Sequence, residues 1–534
     1  MFGGYRYFAT TLFASCVVLL ARSASGENEA TAKLRQQVES WRKDNSTAIV
    51  RELSNFVALP NVASDKQNIE RNAEHLVGLL RRRVIETRLL KEPGSPPAVF
   101  GELRSPGAKH TIVFYAHYDG QPVDPAQWTG SPWAPVLRDK SIEQGGSQIP
   151  FSAPGTAIPD EARLYGRSTS DDKAAIVAML TALDALRAAR LSPSVNLKFF
   201  FDGEEEAGSP HLRSFLAHNR DLLKADAWIF CDGPVHQSRQ MAVVYGVRGA
   251  LGLELTVYGA TRTLHSGHYG NWAPNPGALL ATLLAGMRDV DGRVTIAGFS
   301  DAVRPLTPAE RRAVQAIPDV DPELRRSFGL AHTEAGDAKV TERIVLPALN
   351  VRGLLAGSVG EQAANAIPTE ARASIDFRLV PDQTPEGIKS AVEQHLRAQG
   401  YYLVRQPPDE ATRLAHARIV RVEWGSGYPG IRTAMELPLS RAVTKILNDA
   451  AGPIVQLPNM GGSLPLYLLH DVMATPFLIV PIANHDNNQH AANENLRMRN
   501  LWDGIGVFAV LFVRLGPTLT WEAVPRTTET PPDR

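Results

Sequence analysis

The chain has little cysteine, no surplus of charge and no internal repeat. Two cysteines, Cys16 and Cys231, among 534 residues exclude a disulfide framework and a cysteine-rich zinc module. Any metal must be held by His, Asp and Glu. Lys and Arg number 56, as do Asp and Glu, so the formal net charge is zero. Nucleic-acid binders carry a basic excess, so no nucleic-acid partner is expected. Charged residues at 21% and hydrophobic residues at 44% match ordinary globular usage and exclude wholesale disorder. Past the first 25 residues no apolar run reaches the roughly 18 residues of a spanning helix, so no membrane span is expected in the mature chain.

The first 25 residues read as a signal peptide. Arg6 precedes an apolar stretch from Phe8 to Leu20, and small residues follow around Ser23 and Ser25, both acceptable cleavage points. The expectation is an exported chain, periplasmic or secreted, with an uncleaved anchor as the alternative. Cleavage would remove Cys16 and leave Cys231 without an intrachain partner.

Apolar runs and helical patterns alternate through the first half. Runs at 111–115, 195–201 and 228–231 are separated by a helical pattern at 172–190. Strands alternating with helices predict parallel βαβ units and a covered sheet. The middle changes character: 250–258 and 374–380 alternate as half-buried strands, and 276–287 and 385–398 are helical. That pattern predicts a smaller α+β domain with one solvated sheet face. Helical patterns at 437–450 and 495–515 flank a buried strand at 476–480. The expected fold class is α/β with a mainly parallel sheet covered by helices, interrupted by an inserted α+β lid or dimerisation domain. The expected boundaries are a signal peptide (1–25), a catalytic domain in two parts (26–247 and 426–516), the insertion (248–425) and a disordered tail (517–534). The stretch 140–162 reads as a surface insertion.

Polar clusters close several apolar runs: TIVFYAHYDG (111–120), VNLKFFFDGEEEAGS (195–209), AWIFCDGP (227–234) and FLIVPIANHDNNQH (477–490). LYGRSTSDDKAAIVAML (164–180) puts two aspartates before a helix. Open parallel sheets bind ligands at the carboxyl ends of their strands, so these clusters converge on one crevice. His117, Asp171, Glu206, Asp232 and His490 supply five candidate metal ligands suited to zinc. The set fits two ions about 3.5–4 Å apart sharing one carboxylate. Asp119, two residues after His117, can accept the other imidazole N–H. Each residue alone also reads as a turn aspartate, a helix cap or a loop histidine, and the three glutamates as a solvated cluster. Their joint occurrence at one sheet edge argues against those readings.

The motifs AHYDGQP, GRSTSDDKAA, DGEEEAGS, IFCDGP, LHSGHYG and QHAANENL together resemble the co-catalytic di-zinc peptidases. That family takes in carnosinases, dipeptidases, glutamate carboxypeptidases and succinyl-diaminopimelate desuccinylases. The resemblance runs from about residue 45 to about 515 and is strongest to the carnosinase-like dipeptidase branch. It implies that His117, Asp171, Glu206, Asp232 and His490 hold two divalent ions, with Asp171 bridging. Zinc is the expected metal, with manganese or cobalt as alternatives. It implies Glu205 as the general base. It also implies that His265, in the lid, reaches into a partner subunit's site in a homodimer built through the lid. Asn365, Arg378, Gly462 and Ser463 are the implied contacts to a small peptide substrate and its terminal carboxylate. The implied function is hydrolysis of dipeptides or short peptides with a free C-terminus. The alternatives are an N-acyl-amino-acid amidohydrolase or deacylase and a catalytically silent binding protein. Ala174 and Ala175 stand where the family often has glycines, and QHAANE departs from the family's usual residues around the last histidine; both put substrate preference in question without removing a ligand.

Overall fold

The computed structural model describes residues 8–151, 157–334 and 336–519, with side chains from residue 29 onward. Two compact units divide the chain. The first takes residues 1–243, 434–456 and 472–534, and the second takes 244–433 and 457–471.

The first unit is built on an eight-stranded sheet. Its order is Glu86–Leu90, Ala98–Leu103, Asn196–Asp202, Thr111–His117, Ala227–Phe230, Phe477–Ile479, Ala242–Val244 and Val455–Leu457. The strands from Asn196–Asp202 to Phe477–Ile479 in that order are mutually parallel, and the first two are antiparallel. The parallel strands are near-continuous runs of Phe, Val, Ile and Leu because helices cover both faces; Phe199, Phe200 and Phe201 are all completely buried. The helix Met498–Thr518 packs Phe508 and Phe512 edge-on against Phe114 at 6.3 and 5.0 Å. Each such buried aromatic contributes about 1.5–3 kcal/mol. Among the described residues this is the one helix long and apolar enough to cross a membrane, contrary to the expectation of none. Two thirds of its most apolar stretch (67%) is buried within the fold, as a core helix requires.

Several boundaries differ from the sequence reading. Residues 1–7 of the expected signal peptide lie outside the described residues. The remainder belongs to one helix, Phe8–Val57, which runs unbroken past Ser23 and Ser25. The pattern at 495–515 is not all helix. Asn495–Arg497 is a strand paired with Arg163–Tyr165, and the helix starts at Met498. Arg163–Tyr165 pairs in turn with Val136–Arg138, so the expected surface insertion is flanked by a three-stranded sheet. The helix also continues to Thr518 through Pro517, inside the expected tail, and residues 520–534 lie outside the described residues.

The second unit holds a five-stranded sheet in the order Ala348–Leu355, Glu370–Leu379, Gly249–Tyr258, Ile419–Tyr428 and Tyr402–Val404. All pairings are antiparallel except the last. Ala371, Ala373, Ile375, Phe377 and Leu379 alternate into a core closed by Leu280, Leu283, Ile388, Val392 and Leu396 of two helices, Pro276–Ala285 and Pro385–Ala398. The other face carries Glu254, Arg352 and Ser374, which pair with one another in solvent. The expected 248–425 insertion is corrected at both ends and gains a segment. Residues 457–471 join this unit because Leu457 accepts the Tyr245 N–H, Met460 N–H donates to Gly246 and Arg248 N–H donates to Gly462. Those are long-range backbone bonds that no local pattern announces.

Candidate active site

Each parallel strand of the first unit leads at its carboxyl end to one or two polar site residues. His117 is the last residue of its strand and is completely buried. Glu205 and Glu206 follow Asn196–Asp202 in a single 3-10 turn. Asp232 lies two residues past Ala227–Phe230, and His490 is in the loop after Phe477–Ile479. Asp171 comes from a loop leading into the helix Lys173–Ala188, and its peptide bond to Asp172 is cis. A Gly is required at the turn after His117, since a Cβ on Gly120 would lie 2.1 Å from Ser168 Oγ.

These side chains meet. Asp171 Oδ1 is 2.9 Å from His117 Nε2, and Asp171 Oδ2 is 3.1 Å from His490 Nε2. Its two oxygens thus face two different histidines. Glu206 Oε2 is also 3.1 Å from His490 Nε2. Around His117 Nε2 lie Glu205 Oε2 at 3.9 Å and Asp232 Oδ2 at 4.0 Å. Two groups result, His117 with Glu205 and Asp232, and Asp171 with Glu206 and His490, each offering ligand atoms within 4.8 Å of one another. On the far side of the imidazole, His117 Nδ1 is 3.3 Å from Asp119 Oδ1. The same Asp119 carboxylate accepts the backbone N–H groups of Glu205 and Glu206, both at 3.0 Å. One buried aspartate therefore orients the histidine and fixes the turn carrying both glutamates.

The electrostatics fit a cation site. Burial raises Glu205 well above the usual carboxylate range, with Asp232 and Glu206 adding to the effect. Burial, then the charge of Asp171, pushes Asp232 up to about 7. The nearby Asp171 and Glu206 carboxylates lift His490 to about 10. Four carboxylates and two imidazoles are crowded together without enough positive charge to compensate. Asp171 Oδ2 is buried with no aligned hydrogen-bond partner, although His490 Nε2 is close by. Oxygen and nitrogen lone pairs facing a shared point fit a divalent cation better than they fit one another.

The solvated-cluster reading of the three glutamates fails. Glu204 is buried and accepts from the His211 backbone N–H and contacts its Nδ1, at 2.8 and 2.9 Å. The remaining candidates belong to the second unit and form two groups. His265 pairs with Ala366 across a short ladder, and Ser266 N–H donates to Asn365 at 2.9 Å, which puts the exposed His265 and Asn365 side by side. Arg378 donates to Ser463 Oγ and Asp376 Oδ2, each at 2.8 Å, and Gly462 adjoins Ser463. Sequence reasoning missed Glu494, a completely buried acid four residues after His490. Its carboxylate collects donors from the loop that presents Asp171.

A parallel α/β sheet whose strand ends assemble His and carboxylate ligands beside a half-buried glutamate defines a metal-dependent hydrolase. Residues 113–514 match the peptidase family M20/M25/M40, and the chain belongs to that family. It is a metallopeptidase, and the family's members bind divalent metal ions. It is 25% identical over 418 residues to the Cys-Gly metallodipeptidase dug1 of Schizosaccharomyces pombe, covering 77% of this chain and 81% of the relative. It is 25% identical to the human Beta-Ala-His dipeptidase over 443 residues, covering 79% and 78%. Among solved structures, an M20 family metallo-carboxypeptidase from Sulfolobus solfataricus superposes with a TM-score of 0.69 at 27% identity, covering 88% of this chain and 99% of that one. The exported, periplasmic or secreted location expected from the first 25 residues is overturned. The dipeptidase relatives give export no support.

Proposed function

We propose that the chain hydrolyses the peptide bond of dipeptides or short peptides that carry a free C-terminal carboxylate. The observation that carries this reading is Glu205, half-buried among the ligand candidates and held by Asp119 next to Glu206. His117, Asp171, Glu206, Asp232 and His490 would hold two divalent ions, zinc by donor chemistry, which acidify water and polarise the scissile carbonyl when bound. Glu205 takes the proton of the attacking water and returns it to the leaving nitrogen. Among the described residues Arg378 keeps guanidinium N–H groups beyond those given to Asp376 and Ser463, and with the Gly462–Ser463 loop it would hold the substrate's carboxylate, while Asn365, which lies beside His265, would contact substrate together with that histidine. The relatives' names, a Cys-Gly metallodipeptidase and a Beta-Ala-His dipeptidase, support a dipeptide substrate over an N-acyl-amino acid.

The test is a panel of dipeptides, their C-terminal amides and N-acyl-amino acids, with and without added zinc. A hydrogen bond to a charged group contributes about 1.5–3 kcal/mol, so amidation should lower kcat/KM roughly 10- to 100-fold. Equal cleavage of acid and amide would remove the carboxylate-reading role. Cleavage of N-acyl-amino acids alone would shift the reading to a deacylase.

A homodimer through the second unit goes with this reading. The edge strand Ala348–Leu355 exposes Val351, Leu354 and Leu355, and an unpaired apolar edge is a pairing surface. The exposed His265 would then act in the partner's site, donating to the developing oxyanion. Mixing His265→Ala chains with Glu205→Gln chains should restore activity. In the heterodimer, one site has its own Glu205 and receives an intact His265, giving up to about half of wild-type turnover if sites are independent. Confirmed heterodimers without recovery would place His265 outside the partner's site.

A further inference from the structure

We propose that Glu494 is a positioning residue that aims the Asp171 carboxylate; this rests on the reading of Asp171 as a metal ligand. The side chain is completely buried. Oε1 accepts from the Ser170 N–H, the Asp171 N–H and the Ser170 hydroxyl, each at 3.0 Å. Oε2 accepts from the Ser168 N–H at 2.8 Å and from Arg167 Nη1 at 2.9 Å. A carboxylate offers about four lone-pair sites, so five donors saturate it. Glu494 is therefore spent on the loop and has no oxygen left for a metal.

Three backbone N–H groups turned toward one anion form a nest that dictates the loop's path. The path needs such a hold, because Ser168 sits in the left-handed region at φ +61. One of the three donors is the N–H of Asp171 itself, so the anchor lies on the very residue that offers Oδ1 to His117 and Oδ2 to His490. The other end of the contact belongs to the His490 loop. Gly166 N–H donates to the Glu494 carbonyl at 3.0 Å, and Arg167 Nη2 to the carbonyl of Ala491, the neighbour of His490, at 3.2 Å. Glu494 and Arg167 together staple the Asp171 loop to the His490 loop. The Asp171 Oδ2–His490 Nε2 separation is set by that staple.

The test compares Zn2+ affinity, by chelator competition, in wild type, Asp171→Ala and Glu494→Gln, and records the visible spectrum of the Co2+-loaded proteins. In Glu494→Gln an amide NH2 replaces one acceptor and meets the loop's donors head-on. Partners of this kind typically tune metal affinity 10- to 100-fold, so Zn2+ should bind about that much more weakly. The Co2+ spectrum should change as well, since it reports ligand geometry. Arg83→Met, which breaks the pairs of Arg83 with Glu52 and Asp184 in the same unit, should lower Tm and leave Zn2+ affinity unchanged. If Glu494→Gln does not fold, Arg167→Gln takes its place, since it leaves every backbone donor intact. A folded variant of either kind with wild-type affinity and spectrum overturns the proposal. Failure of both to fold also overturns it, in favour of a role in folding. Asp171→Ala separates the two readings. If it binds Zn2+ as tightly as wild type, the ligand assignment has failed; if it alone loses Zn2+, only the role of Glu494 has.

Discussion

Glu205→Gln should lower kcat by about 10²- to 10⁴-fold, the usual contribution of a general base, with metal content unchanged. The substitution keeps the size and leaves all five candidate ligands in place, but the amide cannot carry a proton. No neighbour is poised to take over. Glu204 is committed to His211, Glu206 accepts from Gln121 at 2.7 Å and faces His490, and Asp119 is occupied by two backbone N–H groups. Unequal positioning of three consecutive glutamates is what the turn after Asn196–Asp202 achieves. Near-normal turnover in a metal-loaded Glu205→Gln protein would remove this residue from the proton path.

Asp171→Ala should be more damaging still. Its two oxygens face His117 and His490 separately, so one substitution disrupts both groups of ligand atoms. Metal ions supply several kcal/mol of transition-state stabilisation, and each 1.36 kcal/mol is tenfold in rate. A loss of roughly 10³-fold or more is expected. Excess zinc should not restore it, because the missing group is the one shared between the two sites. Asp232→Ala, by contrast, removes a ligand from one group only, and high zinc should recover part of its activity.

Much of this site is legible in the sequence for a physical reason. A strand buried on both faces has little room for a charge away from its ends, and Lys198 is held inside one only by donating to the Leu222 and Lys224 carbonyls; TIVFYAH and NLKFFFD therefore announce their carboxyl termini. His117, Glu205, Glu206 and Asp232 stand out because each interrupts an apolar run. Asp171 and His490 lie in loops, where polar clusters before a helix and beyond a strand mark them as candidates and motif resemblance supplies their roles. Glu494 was missed because its role lies in five hydrogen bonds to residues more than 300 positions away, and an acid in a polar loop carries no local mark of burial. The segment 457–471 was misassigned for the same reason, since its membership rests on backbone bonds to Tyr245, Gly246 and Arg248. The expected export failed for another reason: it rested on an apolar stretch followed by small residues, a pattern that also suits a helix, and the relatives do not support it.

The most direct measurement is the metal content of the purified, fully active protein, by elemental analysis alongside Asp171→Ala. Two groups of ligand atoms, with Asp171 set between His117 and His490, predict close to two divalent ions per wild-type chain, and fewer than one in the variant. A single ion per chain in a preparation with full activity would contradict the account.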